Sequence, residues 1–146
     1  MNILSEGQAS ARQLALPQSG LLEGLSQDFI VALQGAGAFV EYNQQAIVSA
    51  GEMVEYVSCI ISGRVCISRL DADYAKAHVA RLGAGEWFGV THLFSRSPSR
   101  EEIFADGEVV LWTISPDTLR NIFFEAAEGV QLLYNIAAHL ASMRRL

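Results

Sequence analysis

Short β-rich segments fill the middle of this chain, from residue 38 to residue 114, and they limit its fold more than any other feature. They recur at about 8–12-residue spacing with turn-forming Gly, Asn, Asp or Ser between them, which is typical of an antiparallel sandwich or barrel. The predicted strands are Ala38–Tyr42, Ala46–Ser49, Tyr56–Ile61, Arg64–Leu70, Tyr74–Leu82, Ile103–Ala105 and Val109–Ile114.

Helix signals lie on both sides of these strands. Ser26 is a good N-cap, and Gly35 and Gly37 are expected to end the helix that it begins. Later, Ser115 and Pro116 provide an N-cap and a proline at the first helical position. The predicted helices are Gln27–Gln34, Thr118–Ala127 and Val130–Arg145. The chain is therefore expected to be mainly β: an antiparallel jelly-roll barrel or sandwich with a short N-terminal helix and two C-terminal helices.

We expect three parts along the chain. Residues 1–20 form a flexible or partly helical arm, with a helical piece at Ala9–Leu16. Residues 21–127 form the jelly roll with its flanking helices, and residues 128–146 form a C-terminal helix. An apolar stripe with coiled-coil spacing runs along that last helix: Val130, Leu133, Ala137, Leu140 and Arg144. Such a short stripe often packs within its own domain, but a terminal helix has few neighbours, so a homodimer seam is also predicted.

Charge and hydropathy narrow the classes of function. The 146 residues carry 10 Lys and Arg against 16 Asp and Glu, a net charge of −6. A chain with this net negative charge is not expected to bind nucleic acid or an anionic membrane directly. No apolar run reaches the roughly 18 residues of a membrane span, and the N-terminus does not resemble a secretory signal. We therefore expect a cytoplasmic protein.

The two cysteines, Cys59 and Cys66, are too few for a disulfide scaffold. If Ser62-Gly63 forms a two-residue hairpin turn, the cysteines face each other with Cα atoms about 5.5 Å apart. That distance permits a disulfide. This would be a hydrogen-bonded pair, however, and the side chains of such a pair lie farther apart than those of a non-hydrogen-bonded pair. The cytoplasm is also reducing. Two reduced thiols are expected, with a redox-sensitive disulfide as the alternative.

The stretch from Gly85 to Glu102 is the candidate functional segment. Gly85 and Gly89 let backbone N–H groups approach a ligand closely, and Arg100 supplies a cation after a polar loop. This combination suits a phosphate group. Two interpretations of Arg100 stay open, because it can be the ligand's cation or a surface arginine paired with Glu101 or Glu102.

Three pieces of sequence with gap-free spacing carry a family resemblance: Ile47–Glu52, Val57–Ile67 and Gly85–Arg100. The first is similar to an I-x-x-x-G-E turn and the second to an L-Y-x-I-x-x-G-x-V-x-V hairpin. The third stands where a phosphate-binding cassette is expected. From about Leu21 onward, the chain resembles the cyclic nucleotide-binding domain of the catabolite activator and protein kinase A regulatory-subunit superfamily. The resemblance implies a regulatory domain with cAMP or cGMP, or another phosphate ligand, as its candidate ligand.

That family's cassette reads F-G-E-(L/M/I)-A-L, then a short loop, then R-(S/T/A)-A. Its Glu accepts hydrogen bonds from the ribose 2′-hydroxyl, and its Arg pairs with the cyclic phosphate. Here Gly89 matches and Arg100 falls at the phosphate position, but Val90 replaces the ribose Glu. Glu101 replaces a small residue, where its charge would repel the phosphate or neutralise Arg100; His92 also replaces a small residue. The resemblance implies these ligand-contacting residues: Gly89, Val90, Thr91, His92, Arg100, Glu101 and Val57.

The two replacements lower the expected affinity. Loss of a charged acceptor for a sugar hydroxyl costs about 1.5–3 kcal/mol, or roughly 10- to 150-fold, and the misplaced carboxylate adds a similar cost. We therefore expect weak, altered or lost binding of cAMP or cGMP. The resemblance implies that the ligand acts by shifting the C-terminal helix. In this family, residues at this depth of the helix reach over the base of the bound nucleotide, so the resemblance places Arg144 and Arg145 near that lid.

Two other classes of function are also compatible with the sequence. A degenerate jelly roll could act as a dimerisation or protein-interaction module, or the chain could be the sensor fragment of a transcription regulator without its helix-turn-helix. An enzyme is not expected, because no G-x-S-x-G, C-x-x-C or P-loop pattern is present. A metal site is not expected either, because His78, His92 and His139 match neither H-x-H nor H-E-x-x-H spacing.

Overall fold

The computed structural model describes residues 1–70 and 76–143. Within them, the strands are β1 (Asn2–Ile3), β2 (Ala38–Asn43), β3 (Ala46–Val48), β4 (Val57–Leu70), β5 (Lys76–Leu82), β6 (Trp87–Phe88) and β7 (Glu101–Ile114). The α-helices are α1 (Glu6–Ala11), α2 (Gln27–Ala36), α3 (Pro116–Glu125) and α4 (Gly129–Met143), and two 3₁₀ helices span Gly20–Leu22 and Val90–Leu93. The start of the predicted strand Tyr74–Leu82 lies outside the described residues.

All of these strands pair antiparallel, in the order β1-β2-β7-β4-β5, while β3 pairs with β7 and β6 pairs with β4. The two 14-residue strands β4 and β7 form the centre of the sheet. The first half of β4 pairs with β6 and the second half with β5, so β4 takes part in both halves of the roll. The predicted jelly-roll class is confirmed.

The predicted hairpin at Ser62-Gly63 is wrong. β4 continues through these residues, and its register against β7 shifts on both sides of Ser62. Gly63 has a φ of 90° and lies where the register passes from Ser62↔Val110 to Arg64↔Asp106. A positive-φ glycine marks a β-bulge as readily as a turn. The predicted break of β7 at Asp106-Gly107 is the other side of the same irregularity.

Because β4 is continuous and forms no hairpin, its two cysteines lie far apart along the strand. Cys59 is the register partner of Trp112 and Trp87, whereas Cys66 lies opposite Phe104 and Arg81. They do not face each other, so the geometry that favoured a disulfide is absent, and both thiols are free. Cys59 is fully buried, and burial raises its pKa to about 12.

We expect the two thiols to differ strongly in reactivity. Cys66 is only half-buried, whereas the Cys59 thiolate is both inaccessible and disfavoured at pH 8. A disulfide reagent such as dithionitrobenzoate should label one thiol in the native protein and the second only after denaturation. A Cys66→Ser variant that still reacts rapidly when native would contradict this assignment.

Two apolar cores lie on opposite faces of the sheet. The roll interior holds Ile60, Phe88, Val109 and Leu111 with their neighbours. The other face of the sheet is covered by the helices, and Trp112 is fully buried there. Because alternate residues of β4 and β7 contribute to the two cores, residues 57–61 of β4 and 109–114 of β7 are apolar apart from Ser58 and Thr113.

The helix starts follow from local capping chemistry. The Ser26 and Ser115 side chains accept hydrogen bonds from the backbone N–H groups of Phe29 and Thr118, at 3.2 Å each, which confirms both predicted N-caps. Gly35 does not end α2, which continues to Ala36. Within residues 1–70 and 76–143, no helix has the length and apolarity that a membrane crossing requires.

Residues 1–20 contain more structure than a helical piece at Ala9–Leu16. Ser5 begins α1 earlier, through a reciprocal capping box with Gln8. Leu4, Ala9 and Leu16 are buried, and the Leu16 N–H donates to the Gln34 side chain at 2.9 Å. The segment is therefore packed against the helical core.

The face that helix α4 presents to the domain only partly matches the stripe that its spacing suggested, because Leu133 and Leu140 of that stripe pack against the core but are only partly buried. Leu132 and Ile136 are fully buried, whereas Val130 and Tyr134 are 67% and 68% exposed. The Asn135 Nδ2 donates to the carbonyls of Leu21 and Glu23 at 2.9 and 3.0 Å, which ties α4 to the segment before α2. The predicted helix end at Arg145 lies outside the described residues.

Candidate functional site

The candidate cassette joins β6 to β7. Gly89 follows β6 with a φ of 79°, a left-handed conformation that L side chains rarely adopt. A Cβ at this position would lie 2.6 Å from the carbonyl oxygen of Tyr56. Gly89 is therefore required both by its conformation and by its close approach to the segment before β4.

The 3₁₀ helix Val90–Leu93 turns its apolar side chains inward. Val90 and Leu93 are each 4% exposed, whereas Thr91 is exposed. The Arg120 side chain, from α3, donates a hydrogen bond of 2.8 Å to the Leu93 carbonyl and fixes the end of this turn. Of the predicted contacts, Thr91 is accessible to a ligand, while Val90 forms part of the wall behind it.

The loop after the 3₁₀ helix is held against the turn before β4. Ser99 donates its N–H to the Glu52 carbonyl at 2.8 Å and accepts one from the Gly51 N–H at 2.7 Å. Met53 also forms an isolated β-bridge with Pro98. These contacts fix the backbone immediately before Arg100.

Arg100 itself is exposed and, within the part of the chain that the structure describes, forms no ion pair. Glu101 pairs instead with Arg69, its register partner on β4, at 3.3 Å. The expected neutralisation of Arg100 by Glu101 is therefore not the pairing observed. Because Arg69 precedes Glu101 by 32 residues, no local spacing could have indicated this partner.

The backbone at the start of β7 is satisfied by a neighbouring hydroxyl. The Glu101 N–H donates to the Ser99 Oγ at 3.1 Å, and that hydroxyl donates to the Glu101 carbonyl at 2.8 Å. A phosphate that used this N–H would have to displace the Ser99 side chain, which is 7% exposed. Ser99 is a site residue absent from the predicted contacts, although a serine two residues before a strand is a familiar local acceptor.

His92 belongs to the cassette turn and is close enough to Glu101 for the charge of that carboxylate to affect its pKa. Burial lowers the pKa of its imidazole below the ordinary value, while the charge of Glu101 and a backbone hydrogen bond at Ser95 oppose that shift. The net effect lowers the pKa of His92, so its imidazole is mainly neutral at pH 7.

This arrangement predicts a coupled titration. Removing the opposing charge in Glu101→Gln should lower the pKa of His92 further, while Glu102→Gln should change it less. Because the folded-state pKa is depressed, acidification below the unfolded value near 6.5 should reduce stability as the unfolded chain binds the proton more readily. Imidazole NMR titrations of the three proteins test this, and an upward shift in Glu101→Gln would contradict the proximity of the two groups.

Val57 lies behind the cassette. Its side chain is 1% exposed, and its Cα is 3.6 Å from the position of a Cβ on Gly89. It therefore supports the glycine turn from the core side. Trp87, next to the cassette, packs edge-on against Trp112 with ring centroids 5.9 Å apart.

A groove of about 180 Å³ lies between the cassette and α3. It is lined in part by His92, Arg96 and Arg120, and the Asp117 carboxylate pairs with both arginines. Within residues 1–70 and 76–143, no group of three or more His, Cys, Asp or Glu side chains could hold a metal ion. The side chain of His78 and the predicted lid residues Arg144 and Arg145 lie outside what is described.

The domain is a β-roll, and its glycine–arginine cassette lies between the sixth and seventh strands. A family model described as the cyclic nucleotide-binding domain matches residues 40–126. The chain belongs to the cyclic nucleotide-binding domain family. No curated protein sequence matches it significantly.

Solved structures share this fold at low sequence identity. The catabolite activator protein of Thermus thermophilus is 21% identical with a TM-score of 0.71, covering 86% of this chain and 56% of that one. The N-terminal domain of a Streptomyces coelicolor transcriptional regulator is 20% identical with a TM-score of 0.75, covering 86% and 90%. A cAMP-independent protein kinase A regulatory subunit from Trypanosoma brucei, in a triple-mutant form bound to cAMP, is 20% identical with a TM-score of 0.69, covering 86% and 43%. The chain thus spans little more than half of the Thermus protein.

Proposed function

We propose that this chain is a regulatory ligand-sensing domain that binds the phosphate of a cyclic nucleotide, or of a related phosphate ligand, through Arg100. One observation carries the proposal: Arg100 is exposed and without an ion pair among the described residues, at the end of a loop fixed by hydrogen bonds. A cation held in this way meets a phosphate without first breaking an internal pair.

We further propose that affinity for cAMP or cGMP is weak. Val90 offers no acceptor for a ribose hydroxyl, and the Glu101 carboxylate adjoins the phosphate position. Its pairing with Arg69 reduces this repulsion but is partly exposed and therefore screened, with Arg69 55% and Glu101 32% exposed. The Trypanosoma protein supports this view, because it is described as cAMP-independent and yet a triple mutant of it was bound to cAMP.

Calorimetry with cAMP, cGMP and cyclic di-GMP tests the proposal. A dissociation constant in the range of about 10 μM to 1 mM is expected for at least one ligand, and Arg100→Ala should weaken it about 10-fold or more, since it removes a charge-assisted contact. Arg96→Ala is the matched control, because Arg96 is an exposed arginine in the same loop that pairs with Asp117. Equal losses in both variants, or no binding by any ligand, would contradict the proposal.

The second candidate is a dimerisation module. Its supporting observation is the exposure of Phe124, Val130 and Tyr134, at 84%, 67% and 68%, on α3 and α4. Sedimentation of the wild type against Val130→Glu/Tyr134→Glu distinguishes the two, since a dimer through α4 should dissociate. We place either activity in the cytoplasm and propose no enzymatic role.

A further inference from the structure

A cavity of about 230 Å³ opens into the roll interior, and apart from Phe88 none of its lining residues belongs to the cassette. Its most buried polar groups are Ser58 and Thr113, which are register partners on β4 and β7. Apolar side chains of the interior core surround them, namely Phe88 and Leu111. The segment between β3 and β4 provides most of the rim.

The inner end of the cavity holds an unused hydroxyl. Ser58 is 2% exposed, and its Oγ has no hydrogen-bond partner among residues 1–70 and 76–143. The neighbouring Thr113 Oγ1 donates to the Ala38 carbonyl at 3.4 Å, which is long for such a bond. Buried hydroxyls are usually paired, so the Ser58 hydroxyl leaves a hydrogen-bonding position open to a ligand or a water molecule in the cavity.

The rim combines two phenols with two carboxylates. Tyr42 and Tyr56 line it together with Glu52 and Glu55. The pKa of Tyr42 is raised, mainly by burial and further by repulsion from Tyr56, once that phenol is ionised, and from the Glu55 carboxylate. One Glu52 oxygen accepts the Ser49 N–H at 2.8 Å, while Glu55 has no partner in the described part of the chain.

The described side chains of the cavity supply no positive charge at this rim. Among the residues that the structure describes, its lining includes neither Lys nor Arg nor His. Met1 also lines the cavity, and its α-ammonium forms no ion pair with either glutamate in the described residues. It offsets at most one of the two carboxylate charges, so the rim stays negative. A negative field beside aromatic faces favours a cation, and a neutral or anionic guest gains nothing from it.

We propose that this cavity binds a small organic cation, with its ammonium between the rim phenols and carboxylates, a compact apolar body against Phe88 and Leu111, and a hydrogen-bonding end at Ser58. The volume is below the range of about 300–1,000 Å³ that is usual for drug-sized ligands, so the guest is small. This site is separate from the cassette and does not depend on the function proposed for Arg100.

Three probes that share one phenol body test the proposal: tyramine, the neutral para-ethylphenol and the anionic para-hydroxyphenylpropionate. In calorimetry at low salt, tyramine should bind at least about fivefold more tightly than para-ethylphenol, and the anion should bind most weakly. Shifts of the Tyr42 and Tyr56 ring resonances should accompany tyramine binding. Raising the salt concentration should reduce the preference.

Substitutions locate the charge effect. Glu55→Gln should weaken tyramine about two- to fivefold and leave para-ethylphenol unchanged, whereas Ser58→Ala should weaken both. Glu125→Gln, at an exposed site on α3, and Arg100→Ala should leave the tyramine affinity unchanged. The proposal is overturned if no probe binds at millimolar concentration, if the three probes bind equally, or if Glu125→Gln has the same effect as Glu55→Gln.

Discussion

Replacing Gly63 by alanine should lower the free energy of unfolding by about 2–5 kcal/mol. A left-handed conformation costs a non-glycine residue about 1–2 kcal/mol, and forcing a methyl group into a packed site adds about 1–3 kcal/mol. The added Cβ would lie 2.3 Å from the Glu108 carbonyl oxygen and 3.0 Å from the Val109 Cα. Neither backbone atom can move without disturbing the β4–β7 pairing that forms the centre of the roll.

Gly51→Ala separates the two costs. Gly51 has a φ of 91°, against 90° for Gly63, but no atom lies within 4 Å of its added Cβ. This variant should lose only the conformational part, about 1–2 kcal/mol. Thermal denaturation provides the readout, at about 3 °C per kcal/mol for a domain of this size. Equal losses at the two positions would contradict the close approach of Gly63 to β7 and, with it, the bulged continuous strand.

Replacing Glu101 by serine should raise the affinity for cAMP about 10- to 150-fold. The substitution removes a carboxylate from the phosphate position and introduces the small hydroxyl residue that the family carries there, a change worth about 1.5–3 kcal/mol. The accompanying loss of the partly exposed pair with Arg69 should cost at most about 1 kcal/mol of stability. A gain in affinity is a stringent expectation, because most substitutions in a binding site weaken it.

Glu102→Ser is the matched control for that gain. It makes the same change of charge one residue further along β7, where side chains alternate between the two faces of the sheet. Its effect on affinity should be small. If Glu102→Ser raises the affinity as much as Glu101→Ser does, the gain reflects the lower net negative charge of the whole domain and not the phosphate position.

Features set by local chemistry were predictable from sequence. The serine caps at Ser26 and Ser115, most strands and the glycine–arginine frame of the cassette depend on a few neighbouring residues. The bulge at Gly63 was mistaken for a hairpin turn because both use a glycine with positive φ. Only the pairing of β4 with distant β7 decides between the two.

Features of the site that depend on register were not predictable. The Arg69–Glu101 pair arises because those residues lie opposite each other on β4 and β7. Likewise, which face α4 buries depends on its anchoring by Asn135 to the Leu21 and Glu23 carbonyls, which no heptad pattern reveals. Because Glu101 pairs with Arg69, it does not pair with Arg100, whose lack of an ion pair among the described residues is central to the proposed function.

A calorimetric double-mutant cycle at Arg100 and Glu101 is the most direct test of the proposed phosphate site. It requires the affinity for cAMP of the wild type, Arg100→Ala, Glu101→Ser and the double variant. Glu101→Ser should gain at least about 10-fold, and this gain should disappear when Arg100 is also replaced, because only Arg100 holds the phosphate beside residue 101. A gain that persists without Arg100, or the failure of Glu101→Ser to bind cAMP more tightly than the wild type, would contradict the proposed site.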